Sequence, residues 1–339
     1  MEAVGRIGVV GAGSWGSTLS QLLAAKGYQV DLWVYEKELC QTIRETRENT
    51  YYLQGVLLHE NITAHHELKE VVEDHELIVM VVPSHVYRHT ASQMIPYLKE
   101  QAVIVSATKG IENGTLLLMS EIWEEILPST RFAHVLSLCG PSFAREVIRN
   151  IPTAIVVAGD DLQEARRVQR IFSTPCFRVY TSSDKKGVEL AGALKNVIAI
   201  AAGISDGLGF GHNTRAALIT RGLAEMSRLG TRMGANVLTF SGLSGIGDLL
   251  LTCTGDLSRN RQVGLQLGQG RKTEEILRDM RMVAEGVKTA ESVHFLAQRM
   301  QVEMPLCEQV YQVLHTGKRP QDAVDGLMER SLKHELEVP

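Results

Sequence analysis

The sequence predicts an α/β fold, a doubly wound parallel sheet followed by an all-α C-terminal domain, and three observations carry that prediction. Up to about residue 180, short β-rich runs alternate with helical segments. After Ser183, apolar residues recur only at helical spacing. The chain has 339 residues, too many for one ordinary core, so two domains are expected, 1–188 and 189–339.

In order, the strands are "RIGVV" (6–10), "QVDLWV" (29–34), "LIVMVV" (77–82), "AVIVSA" (102–107), "HVLSL" (134–138), "TAIVVAG" (153–159) and "FRVYT" (177–181), with a helix after the first running through Ala25. Each is nearly all apolar, which implies strands buried on both faces of a parallel sheet between helical layers. The pair His65–His66 reads as part of a polar loop. Helices are expected over 187–204, 214–229, 236–251, 260–269, 273–279, 287–299 and 305–315, with a polar tail after Lys318 that frays.

Composition narrows the function classes. Hydrophobic residues make up 44% and charged residues 22%, as in soluble globular proteins. The formal net charge of −4 offers no basic excess for nucleic acid. "MEAVGRIGVVGAG" reads as a first strand rather than a signal peptide. "LIVMVV", the longest apolar run, falls far short of the about 20 residues of a membrane span. Cys40, Cys139, Cys176, Cys253 and Cys307 are scattered, odd in number and without a CxxC, so they read as reduced cytosolic thiols. His85 and His89 are spaced i,i+4 but lack an acidic partner, and no metal site is expected.

"VVGAGSWGSTLSQLLAAKG" places Gly11, Gly13 and Gly16 between a strand and a helix. Gly11 allows the tight turn, Gly13 lets backbone approach a pyrophosphate, and Gly16 lets helix and strand pack closely, the fingerprint of a Rossmann-type dinucleotide site. Glu36, 20 residues after Gly16, is placed to read the two ribose hydroxyls of NAD, while Lys37 beside it tolerates a 2′-phosphate. NAD and NADP both stay open.

Two lysines stand where lysine is costly. Lys109 follows the strand "AVIVSAT" at the carboxyl edge where open α/β sheets bind ligands. Lys195 lies mid-helix in "VELAGALKNVIAIAAGI", apolar on nearly every face, with Ala191, Gly192, Ile198 and Ala199 as its helical neighbours. A partly desolvated lysine beside a second one suits acid–base work near neutrality. Further on, Asp248 and Thr252 share one helix face, and Ser258 caps a helix whose first turn holds Arg259 and Asn260. A guanidinium and an amide at a helix N-terminus suit a phosphate dianion. In "CGPSFAREV", Gly140, Pro141 and Ser142 turn the chain, and Phe143 and Ala144 open a helix. A nicotinamide site, two acid–base lysines and a phosphate grip together describe a dehydrogenase of a small phosphorylated alcohol or ketone.

With those residues, the chain resembles the bacterial NAD(P)-dependent glycerol-3-phosphate dehydrogenases. The resemblance covers roughly residues 5–317, and "ELAGALKNV" with "SRNRQVG" carries it most specifically. It implies Lys195 as proton donor and acceptor, Lys109 and Asp248 beside it in catalysis, and Lys109 touching both substrate and cofactor. It implies Gly11, Gly13, Ser14, Trp15, Gly16, Tyr35, Lys109, Ala144, Arg259, Val283 and Glu285 on the cofactor side. On the substrate side it implies Lys109, Gly140, Ser142, Lys195, Asn196, Asp248, Thr252, Ser258, Arg259 and Asn260. The implied reaction is reversible reduction of dihydroxyacetone phosphate to sn-glycerol 3-phosphate for glycerophospholipid synthesis, by a cytoplasmic homodimer using NAD or NADP. This reading expects Lys195→Met to fold normally and lose kcat by several orders of magnitude. The rivals are a ketopantoate or β-hydroxyacid reductase, which has no need of the "SRNR" grip, and a catalytically silent NAD sensor.

Overall fold

Alternate residues of the central strands face opposite ways, and both ways are apolar. Ile7 and Val9 enter one core while Val10 enters the other, and Leu77 and Val79 part from Ile78 and Met80 in the same manner. A strand apolar on both sides is stable only between two helical layers. The computed structural model describes residues 5–128, 133–280 and 282–335. Its chain divides into two compact units, Met1–Lys109 with Leu117–Lys185, and Gly110–Leu116 with Lys186–Pro339.

The first unit holds one eight-stranded sheet. Its strands are β1 (Arg6–Val10), β2 (Gln29–Trp33), β3 (Ile62–His65), β4 (Leu77–Met80), β5 (Val103–Ser106), β6 (His134–Cys139), β7 (Thr153–Ala158) and β8 (Phe177–Ser182). They lie in the order β3-β2-β1-β4-β5-β6-β7-β8. Two features correct the sequence reading. The expected polar loop around His65 contains β3, paired in parallel with β2. And β7 runs antiparallel to β6, so the sheet is parallel-dominated rather than wholly parallel. Helices Ser14–Ala25 and Leu162–Phe172 supply one core, which includes Leu19, Leu23, Val168 and Phe172. Ser84–Met94 and Met119–Ile126 supply the other, where the Trp123 indole N–H donates to the buried Tyr87 hydroxyl at 3.0 Å.

Asp31, buried on β2, is the centre of a charged cluster. Asp31 accepts from Arg6, His65 and His75 at 2.6–2.9 Å. Burial alone would raise its pKa, but these donors together hold the carboxyl well below the usual range.

The second unit is helical. Lys185–Gly207 is its centre: every residue from Gly187 to Ser205 is buried. This helix and the stretch Val237–Thr254 are long and apolar enough to cross a membrane, but the apolar window of the first lies wholly inside the protein. His212–Arg232, Arg259–Gly268 and Glu285–Met300 pack against it, and Pro305–His315 packs on the first and last of these. The tail expected to fray instead forms the helix Pro320–Met328, started by proline at its first position and anchored by buried Ala323.

One buried carboxylate is expected to make stability depend on pH. Glu225 accepts the backbone N–H groups of Leu306 (2.7 Å) and Cys307 (3.2 Å). Burial pushes its pKa up from 4.5 to about 7, against the partial relief of those bonds. A folded pKa above the unfolded one gives stability that is full below pH 4.5 and is lost as pH rises through 7. Urea midpoints should therefore fall between pH 5 and 8 by the equivalent of about 3 kcal/mol more in the wild type than in Glu225→Gln. The difference between the two proteins cancels the contribution of His65, whose pKa is also raised, first by its hydrogen bond to Asp31. Parallel pH profiles would show that Glu225 stays ionised.

Candidate active site

In the first unit the glycine loop has the geometry its sequence promised. Gly11 takes a φ of +119°, open to glycine at little cost. A Cβ on Gly16 would sit 1.9 Å from the Gly11 carbonyl oxygen, whereas one on Gly13 would meet nothing within 4 Å. Gly16 is thus small for packing, and Gly13 faces open space. The helix Ser14–Ala25 begins there with no side chain capping it, so its first-turn amides are presented to an incoming anion. This combination fits the pyrophosphate of a dinucleotide. Ser14 and Trp15 stand in that first turn, Trp15 packing at a tilt on Phe177 with ring centroids 6.4 Å apart. Tyr35 is 73% exposed just beyond β2.

Lys109 follows β5, and its ammonium donates to the Gly140 carbonyl at 3.1 Å. Ser142 Oγ donates to the same oxygen at 3.0 Å. Gly140 turns that carbonyl with a φ of +141°, and a Cβ on it would lie 2.9 Å from Ile155 Cα. Ala144 opens the short helix Ala144–Val147 beyond this turn, with Phe143 at its N-cap.

In the second unit Lys195 is 6% exposed, and its partners answer why a lysine stands mid-helix. Its ammonium donates to Asp248 Oδ1 and to Thr252 Oγ1, each at 2.7 Å. Thr252 in turn donates to the Asp248 backbone carbonyl at 2.6 Å. Asp248 opens the helix Asp248–Thr254, which continues directly from the π-helical turn Leu243–Gly247. Lys195→Met would take this ammonium from the buried Asp248 carboxylate, so the variant is expected to fold with reduced stability.

Next to Lys195, Asn196 Oδ1 accepts from Asn260 Nδ2 at 2.9 Å. Asn260 Oδ1 accepts the Gly286 N–H, also at 2.9 Å. Ser258 caps the helix Arg259–Gly268 as expected, its Oγ accepting the Arg261 N–H at 3.2 Å. Arg259 opens that helix with its side chain reaching solvent. Glu285 begins Glu285–Met300 and interacts electrostatically with Arg259, while Val283 is exposed just before it.

The sequence reading missed the groups that hold these parts in place. Asp206 accepts from Arg215 (2.5 and 3.0 Å) and from Arg261 (2.8 Å), tying three helical segments together. Gly203, Gly207, Gly264 and Gly268 form the contact between the Lys195 helix and the Arg259 helix. A Cβ on any of them would lie 2.0–2.4 Å from a backbone oxygen of the other helix. In the first unit, Asn49 and Tyr52 brace the glycine loop and Glu36. A G-x-x-x-G spacing on both helices is a sequence signal for the first contact. Nothing in pattern or periodicity announces Asn49 or Tyr52.

Comparison with known proteins decides the family. The family model described as NAD-dependent glycerol-3-phosphate dehydrogenase N-terminus matches residues 6–165, and its C-terminus counterpart matches residues 184–325. The chain belongs to the NAD-dependent glycerol-3-phosphate dehydrogenase family. A glycerol-3-phosphate dehydrogenase [NAD(P)+] of Syntrophobacter fumaroxidans is 66% identical over 338 residues, covering 100% of this chain and 99% of the relative. One from a Geobacter species is 57% identical over 97% of this chain and 98% of its own length. Among solved structures, the glycerol-3-phosphate dehydrogenase of Coxiella burnetii superposes with a TM-score of 0.93 at 40% identity, covering 96% of this chain and 99% of that one.

Proposed function

We propose that this protein reversibly reduces dihydroxyacetone phosphate to sn-glycerol 3-phosphate, with residues 1–188 serving the cofactor and 189–339 the substrate. The observation that carries this reading is the buried Lys195 ammonium held by Asp248 and Thr252. When bound, reduced nicotinamide supplies a hydride to the C2 carbonyl. Lys195 donates its proton to the oxygen as negative charge develops there, and its own charge stabilises that oxygen beforehand. Asp248 and Thr252 fix the ammonium, so no reorganisation is needed at the moment of transfer. Arg259, Asn260 and the amide-rich start of their helix hold the phosphate. Lys109, oriented by the Gly140 carbonyl, contacts substrate and cofactor, with Gly140 and Ser142 on the substrate side.

The test is oxidation of reduced nicotinamide, followed by absorbance, with dihydroxyacetone phosphate, dihydroxyacetone and ketopantoate in parallel. Turnover of the phosphorylated ketone with a kcat/KM far above that for dihydroxyacetone, and none with ketopantoate, supports the reading. Turnover with ketopantoate replaces it with the reductase, and binding without any turnover replaces it with the sensor. Arg259→Ala should lower kcat/KM for dihydroxyacetone phosphate by about 10²–10³-fold and that for dihydroxyacetone, whose slow turnover needs no phosphate grip, far less. An equal loss on both ketones would place Arg259 outside the phosphate site. The same reading makes the enzyme a cytoplasmic homodimer, for which exposed Val237, Leu238 and Leu250 provide apolar surface. Light scattering on the purified protein checks that state.

A further inference from the structure

Segment 47–53 follows no periodicity, yet its side chains join the glycine loop to the end of β2. Asn49 is fully buried. Its Nδ2 donates to the Ala12 carbonyl (2.7 Å) and to Ser17 Oγ (2.8 Å), and its Oδ1 accepts the Tyr52 N–H at 2.9 Å. The Tyr52 hydroxyl then donates to Glu36 Oε1 at 2.6 Å. Burial, with the Glu36 carboxylate beside it, pushes Tyr52 up to about 12, so the phenol keeps its proton and the polarity of this bond is fixed.

Glu36 occupies the N-cap position of the helix Lys37–Thr46, but its side chain makes no capping bond. The carboxylate is turned to Tyr52 instead. It also lies beside the cradle, for the Gly11 N–H donates to the Trp33 carbonyl at 3.3 Å, three residues before Glu36. A dinucleotide whose pyrophosphate rests on that loop brings its adenine-side ribose to the end of β2. There a fixed carboxylate accepts from two ribose hydroxyls and repels a 2′-phosphate.

The cations that follow along the chain have acidic neighbours or carbonyl partners of their own. Lys37 is exposed between Glu36 and Glu38. Arg44 and Arg47 turn their Nε groups to the Ala64 carbonyl (2.8 Å) and the Leu58 carbonyl (3.0 Å).

We infer that this enzyme selects NAD(H) over NADP(H), with Glu36 as the discriminating residue and Tyr52 as the residue that positions it. The inference rests on the dinucleotide reading of the glycine loop and deepens it. The experiment is a fluorescence titration of the intact protein with NADH and with NADPH, without ketone. The wild type, Glu36→Gln, Glu36→Ser and Tyr52→Phe are compared, each shown by circular dichroism to be folded. In the wild type the Kd for NADPH should exceed that for NADH by about tenfold or more. Both Glu36 variants should bring the two constants within about threefold of each other, by removing the charge that repels phosphate. Tyr52→Phe should weaken NADH severalfold and reduce the ratio part-way, because the carboxylate is no longer fixed.

Equal or tighter NADPH binding by the wild type overturns the selectivity. A ratio unchanged in both Glu36 variants overturns the role of Glu36, and an unchanged NADH Kd and ratio in Tyr52→Phe overturns that of Tyr52. Failure of the wild type to bind either nucleotide overturns the underlying dinucleotide site instead.

Discussion

Replacing Lys195 with methionine is expected to lower kcat by about 10⁴-fold, the upper range for removal of a positioned general acid that also carries the stabilising charge. NADH binding to the glycine loop should be retained, because none of the loop's bonds involve Lys195. The cost in stability is separate and follows from Asp248, which is 1% exposed and loses its counter-charge. Breaking a buried pair from one side costs about 3–5 kcal/mol, so the melting temperature should drop by roughly 10 °C. The double variant Lys195→Met, Asp248→Asn removes the stranded charge. It should recover most of the stability and none of the activity. Kinetics and calorimetry on both variants separate the two effects, and a single variant within tenfold of wild-type kcat would remove Lys195 from the chemistry.

The second large effect is expected at Gly264, which touches no substrate in the proposed mechanism. A methyl group there would lie 2.0 Å from the Ile200 carbonyl oxygen and 2.8 Å from the Ile204 nitrogen. Both are backbone atoms of the Lys195 helix, so no side-chain rotation relieves the clash. The helices must separate, and Gly264→Ala should cost about 3 kcal/mol or more, the top of the usual range for overpacking. Separation also moves the Arg259–Asn260 turn away from Lys195 and Asn196, so KM for dihydroxyacetone phosphate should rise more than kcat falls. Ser258→Ala is the comparison: it removes the N-cap of the same helix and should cost only about 1 kcal/mol. Similar melting curves for the two variants would show that the helix contact has slack.

These cases show which features are local and which are not. The glycine loop, the strands around it and the Ser258 cap were legible because each depends on neighbours within a few residues. Gly11 needs a positive φ, Gly16 needs room against its own loop, and Ser258 needs an amide three residues on. β3 was not legible, because "ITAH" is short and half polar, and its extended form comes from pairing with β2. The direction of β7 was equally hidden, since an apolar strand has the same alternation in either orientation. The helix Pro320–Met328 did carry signals along the chain, Pro320 at its start and Ala323, Val324, Leu327 and Met328 at helical spacing, while its anchoring through one buried residue, Ala323, appears only in the tertiary structure.

For the site the division is sharper. Residue types and spacing alone marked Lys195 as out of place in an apolar helix and put Asp248 and Thr252 on one face of another. Only the tertiary structure joined them, across 53 and 57 positions of sequence, into one hydrogen-bonded group. Likewise the carboxylate of Glu36 was visible at the end of a strand, while the hydroxyl that fixes it came from Tyr52, in a stretch without pattern. Local backbone geometry and hydrophobic periodicity are written along the chain, because they arise between near neighbours. The partner of a buried charge is chosen by which helices pack together, and that choice rests on contacts such as Gly203 against Arg261 that no single segment contains.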